Sequence, residues 1–193
     1  MKYDPKKHDQ KSIRLQGYDY ASAGAYFITI CTHQRQCLFG EVIKGVMELS
    51  NYGTIAATEW DRSTDIRQEI ELGEWIVMPN HFHGIVFIRA TVEERTQSLA
   101  PLQPLQGYGY QLETGMAIRK PKSLSTLIAG FKIAVTTKIN GDRHTPRNPV
   151  WQRNYYEHII RDEISLEKIR QYVLNNPVSW EQDQLHPNNP SKW

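Results

Sequence analysis

Cysteine is nearly absent from this chain: Cys31 and Cys37 are the two in 193 residues. That excludes a disulfide framework, and the pair reads as reduced thiols of a cytoplasmic protein. Long apolar runs are missing too. None approaches the roughly 20 residues that cross a bilayer, so no membrane partner is expected. The opening Met1-Lys2-Tyr3-Asp4-Pro5-Lys6-Lys7 is positively charged, but no apolar segment follows it and it does not read as a secretion signal. Net charge is only +2, and no segment repeats. What remains is one domain's length of chain, 39% hydrophobic, enough for a single core.

The small net charge conceals an uneven distribution. Between 116 and 161 nine basic residues (Arg119, Lys120, Lys122, Lys132, Lys138, Arg143, Arg147, Arg153, Arg161) face only Asp142 and Glu157. From 57 to 75 the sign reverses, with six acidic residues against Arg62 and Arg67. A basic stretch with an acidic counterpart is the sequence footprint of a phosphate-binding face. Phe131, Trp151, Tyr155 and Tyr156 are threaded through the basic part, and such rings stack on nucleobases.

Along the chain, 1–18 is a polar, basic arm. Residues 25–32 form a strand rich in β-branched side chains. A second strand is expected near 39–49, kinked around Gly40 and Gly45. Ser50 or Asn51 opens a helix running through Ile55, Ala56, Trp60 and Ile66, and strands follow at 70–78 and 81–89. Residues 91–120 hold Pro101, Pro104, Gly107 and Gly109 with no sustained period, which reads as a long insertion, mobile when nothing is bound. From Ser123 an apolar stripe of Leu124, Leu127, Ile128, Phe131 and Val135 marks a helix that Gly141 ends. A strand at 155–161 precedes a last helix, capped by Asp162 and stopped by Pro177. This order predicts an α+β domain over 19–180, a mainly antiparallel sheet with helices packed against it, and a tail at 181–193.

Pro79-Asn80-His81-Phe82-His83 lies between the apolar runs Trp75-Ile76-Val77-Met78 and Gly84-Ile85-Val86-Phe87-Ile88. On a strand, His81 and His83 point to one face, about 7 Å apart along the backbone, while Phe82 points to the core. Two imidazoles so placed could share a divalent ion with open coordination positions. On the last helix, Tyr172 and Asn176 lie one turn apart, roughly 40° around the axis, at the border of the apolar stripe. A phenol near a metal could attack phosphorus, and an amide oxygen could serve a hard ion. A boundary tyrosine and a C-cap asparagine fit the same spacing.

Four blocks in order carry a more specific signal: Ala25-Tyr26-Phe27-Ile28-Thr29, Met78-Pro79-Asn80-His81-Phe82-His83, Trp151-Gln152-Arg153-Asn154-Tyr155-Tyr156-Glu157-His158 and Tyr172-Val173-Leu174-Asn175-Asn176-Pro177. With them the chain resembles the REP-associated tyrosine transposases, single-tyrosine members of the HUH endonucleases. The resemblance implies a ferredoxin-like HUH fold, His81 and His83 as metal ligands with Asn176 as the third, and Tyr172 as nucleophile. It implies Mg²⁺ or Mn²⁺ as cofactor and single-stranded or hairpin DNA as partner, in a monomer or a homodimer. The reaction would be transesterification at hairpin-forming palindromic repeats: Tyr172 forms a 5′-phosphotyrosine link and releases a 3′-hydroxyl. Lys120, Lys122, Lys132, Lys138, Arg143, Arg147, Arg153 and Arg161 would hold the stem. Two other readings stand beside this one. The first is a catalytically silent hairpin-binding protein. The second is a structural zinc site built from Cys31, His33, His81 and His83.

Overall fold

The computed structural model describes residues 18–89 and 121–189. The arm up to residue 17, the expected insertion at 91–120 and with it Lys120 lie outside the described residues. Strand β1 (Gly24–Cys31) is followed by a short 3₁₀ turn (His33–Arg35) and by β2 (Gly40–Ile43) and β3 (Val46–Leu49). Then come helices α1 (Asn51–Asp61) and α2 (Ser63–Ile66), strands β4 (Ile70–Met78) and β5 (His81–Ile88), and helix α3 (Leu124–Asp142). Strand β6 (Tyr156–Ile160), helix α4 (Glu163–Asn175) and a short 3₁₀ turn (Trp180–Gln182) complete the described residues.

The main sheet runs β4-β5-β1-β6, every neighbour antiparallel. Two crossovers, β1 to β4 through α1 and β5 to β6 through α3, each skip one strand, which gives the split βαβ pattern of ferredoxin-like folds. The predicted α+β class with an antiparallel sheet is the observed one. Alternation along β1 sorts the core into two layers. Tyr26, Ile28 and Ile30 join Val77, Phe82 and Val86 under Trp60, Leu127, Phe131 and Val135 of α1 and α3. On the opposite face, Phe27, Ile85 and Ile160 pack against Leu166 and Val173 of α4. Phe82 is fully buried, its ring 4.6 Å from that of Trp60. It therefore anchors β5 and presents His81 and His83 to the α4 side.

Two sequence expectations change. The single kinked strand at 39–49 is a separate hairpin, with Ile43 paired to Val46 across Lys44 and Gly45. Both turn residues have positive φ, 52° and 79°, the two-residue turn whose twist suits a hairpin. The helix expected to run through Ile66 is interrupted at Arg62, whose ψ of −12° departs from the helical value and whose N–H bonds the Thr58 carbonyl, and a separate turn, Ser63–Ile66, follows.

Helix α1 docks tightly at its first turn, where Ser50 caps by accepting from the Gly53 N–H. A Cβ at Gly53 would lie 2.1 Å from the Phe39 carbonyl oxygen, a backbone atom that already accepts from the Ser50 N–H. Gly53→Ala is accordingly expected to cost about 1–3 kcal/mol of overpacking. Urea or thermal unfolding should show this as a lowered midpoint with an unchanged site.

Candidate active site

Strand β5 delivers His81 and His83 to the sheet face under α4. Register sets Cys31 opposite His81 and Thr29 opposite His83. The two imidazoles are buried, at 0% and 2% exposure, with ring centroids 4.5 Å apart. Neighbouring groups fix which nitrogen carries the proton. Asn80 donates its Nδ2 hydrogens to the carbonyls of Leu185 (2.8 Å) and Arg35 (3.3 Å), so its Oδ1 accepts from His81 Nδ1–H at 2.8 Å. The His81 Nε2 lone pair is left buried without a hydrogen-bond partner. His83 Nδ1 lies 2.8 Å from the Thr29 hydroxyl, and its Nε2 lies 3.3 Å from the Tyr172 phenol oxygen.

Burial holds both rings neutral, the form that ligates metals. It pushes His81 down to about 3, with Arg35 adding to the effect and the Asn176 side chain opposing it. His83 is also held well below the usual histidine range, by burial first and by His81 second, against Asp183.

Helix α4 and the segment after it supply the oxygens. Asp183, His81 and His83 each offer a ligand atom within 4.8 Å of the others. Asn176 Nδ2 donates to Asp183 Oδ2 at 3.0 Å. A carboxylate can only accept here, so the amide orientation is set and Asn176 Oδ1 faces away, buried and without a hydrogen-bond partner. Each orphaned buried polar atom costs about 1–3 kcal/mol. A cation between the His81 Nε2 and Asn176 Oδ1 lone pairs would satisfy both, so the residues present fit a divalent ion.

Tyr172 projects from α4 over His83, its ring 5.2 Å from the imidazole and 6.0 Å from Phe27. Burial, aided by Asp183, pushes the phenol up to about 12, with Asn176 opposing. The hydroxyl is therefore protonated near neutral pH and shares a hydrogen bond with His83 Nε2.

The structure thus brings together four residues singled out in the sequence: His81, His83, Tyr172 and Asn176. Asp183, Asn80 and Thr29 were missed. No short motif marks Asp183, which caps the 3₁₀ turn Trp180–Gln182 beyond Pro177. Among the described residues, the side chains that converge as a possible metal site are His81, His83 and Asp183; Cys31 and His33 do not join them. The closed zinc site is corrected on that ground, since His33 sits in the turn after β1 and the third donor comes from the far side of α4. The basic residues divide. Lys132 donates to the backbone carbonyls of Gln152 (2.9 Å) and Asn154 (3.0 Å), Lys138 pairs with buried Glu59, and Arg143 bonds Asn140 and the Asn148 carbonyl. Lys122, Arg147, Arg153 and Arg161 are exposed. No helix among the described residues is long and apolar enough to cross a membrane.

No family model matches the chain. A Haemophilus influenzae protein, described as an uncharacterized protein, is 39% identical over 186 residues, covering 96% of this chain and 97% of that one. The solved structure of a REP-associated tyrosine transposase bound to a REP hairpin superposes with a TM-score of 0.54 at 16% identity, covering 94% of this chain and 91% of that chain. At that identity the likeness concerns the fold. The chain therefore belongs to one family with the Haemophilus influenzae protein and has the α+β fold of the REP-associated tyrosine transposase.

Proposed function

We propose that this protein is a metal-dependent single-strand DNA endonuclease and strand transferase of the REP-associated tyrosine transposase type. Its substrate would be hairpin-forming palindromic DNA. The carrying observation is the Tyr172 hydroxyl, 3.3 Å from His83 Nε2, beside the two orphaned lone pairs of His81 Nε2 and Asn176 Oδ1. His81, His83 and Asp183, with the Asn176 amide oxygen, would hold Mg²⁺ or Mn²⁺. When bound, such an ion withdraws charge from a phosphate and eases ionisation of a nearby phenol.

The remaining chemistry belongs to the chain. Tyr172 gives up its proton and its oxygen attacks phosphorus. The bond to the 3′ oxygen breaks and that oxygen takes up a proton, releasing the upstream fragment as a 3′-hydroxyl, while the downstream fragment stays joined to Tyr172 through its 5′ phosphate. A 3′-hydroxyl from another strand reverses the step without external energy, because one phosphate ester has replaced another. Asn80 and Thr29 orient the imidazoles, and the exposed Arg147, Arg153 and Arg161 supply charge for the DNA backbone.

The test is incubation with labelled single-stranded DNA carrying a hairpin, in the presence of Mn²⁺. A denaturation-resistant adduct mapping by mass spectrometry to the peptide of Tyr172 is expected. If DNA is bound tightly but no hairpin substrate yields an adduct, the catalytically silent reading replaces this one.

A further inference from the structure

Tyr172 and His83 open onto a cleft of about 480 Å³. That is a typical volume for a small-ligand pocket and far more than a phosphate beside the imidazole pair requires. Its lining includes a wall of Gln152, Asn154 and Tyr155 from the segment before β6 and Tyr156 at the start of β6, together with Arg35. Two phenol rings and two primary amides around one space suit a flat π-faced ligand with hydrogen-bonding edges. Rings provide stacking that every base can use, and amides pair with donor–acceptor edges. The ligand that matches, within stacking reach of a nucleophile aimed at phosphorus, is an unpaired nucleobase.

Between the Thr32–Trp151 bridge and β6 this wall is irregular backbone; the Gln152 N–H is bonded to the Cys31 carbonyl at 2.9 Å, and a lysine from α3 ties down the carbonyls of the stretch. Lys132 of α3 donates to the carbonyls of Gln152 at 2.9 Å and Asn154 at 3.0 Å, and its ammonium lies 5.8 Å from the Tyr155 ring centre. A lysine whose donors point at carbonyls of its own chain serves the segment's position. A phosphate-binding lysine would turn those donors outward.

Resting on the proposed nuclease reading, we infer that the cleft receives the unpaired base flanking the scissile phosphate. It would stack against Tyr155 or Tyr156 and be read by Asn154 and Gln152. Lys132 acts as a positioning residue for that wall. Base choice at the cut site is then set by the segment 152–156, and Lys132 is not a backbone contact.

The experiment measures binding, so it does not depend on cleavage. The full chain is titrated with hairpin DNA in which each single-stranded position in turn is abasic, and separately with 5-iodouracil placed at each position for photocrosslinking. One abasic position is expected to weaken binding roughly 5- to 100-fold, the range of a stacked base. Crosslinks from that same position should map to Tyr155 or Tyr156. Asn154→Ala, an exposed change, should reduce the preference among bases there. Lys132→Met should do the same while leaving the salt dependence of binding unaltered, with Lys132→Arg restoring part of it. Uniform weakening over all sequences, with the salt slope reduced by about 1, would make Lys132 a phosphate contact and overturn the assignment. Equal affinity for every abasic substrate would overturn the base pocket. An adduct at Tyr172 without base preference leaves the enzyme standing and removes this inference; base preference without an adduct does the reverse.

Discussion

Tyr172→Phe is expected to abolish covalent attachment to hairpin DNA, a loss on the order of 10⁶-fold by comparison with removal of a serine protease nucleophile. The substitution deletes one oxygen and little else. The ring contacts with His83 and Phe27, at 5.2 and 6.0 Å, are made by carbon and survive in phenylalanine. The hydrogen bond lost is 3.3 Å long and belongs to a side chain 42% exposed, but it leaves Nε2 of buried His83 without that partner, so stability should fall by about 1–3 kcal/mol. Gel-shift affinity for hairpin DNA should match wild type below the melting temperature, while the denaturation-resistant band disappears. Tyr155 and Tyr156 line the same cleft. Persistence of the band in Tyr172→Phe would move the nucleophile to one of them.

How far the sequence anticipates this arrangement depends on whether periodicity or packing decides each position. His81, Phe82 and His83 obey a strand's period of two, so the division between site and core is readable before any coordinate. Tyr172 and Asn176 obey the helical period in the same way. Asp183 obeys neither. It follows a one-turn 3₁₀ segment too short to show a period, which Trp180 pins beneath the site, its ring 5.8 Å from His81 and 4.8 Å from His186. Such docking is a tertiary contact with no local pattern to announce it.

The turn at Lys44-Gly45 was hidden for a related reason. Asn-Gly or Asp-Gly is the strong hairpin signal, and lysine gives no hint that it will adopt positive φ. Counting charge failed differently. It recognised a basic stretch but could not separate Lys132 and Lys138, committed to protein carbonyls and to Glu59, from exposed Arg147, Arg153 and Arg161.

The metal site yields the second large effect. His81→Ala is expected to lower Mn²⁺ affinity by more than about 100-fold, since it removes the buried Nε2, beside His83, that has no hydrogen-bond partner. Asn80→Ala should lower it by roughly 10- to 100-fold without touching a ligand, because Asn80 Oδ1 holds the proton on His81 Nδ1 and thereby keeps Nε2 open. Asp183→Ala separates the two oxygen donors. If the carboxylate ligates, affinity falls while Asn176→Ala costs less; if the amide is the ligand found by the helical spacing, the order reverses. Calorimetry or Mn²⁺ paramagnetic resonance reads these affinities directly, and melting temperatures control for the bonds that Asn80 also makes to Arg35 and Leu185. Unchanged Mn²⁺ binding in His81→Ala would mean that the ion sits elsewhere. The phenol 3.3 Å from His83 would then have no activating charge beside it.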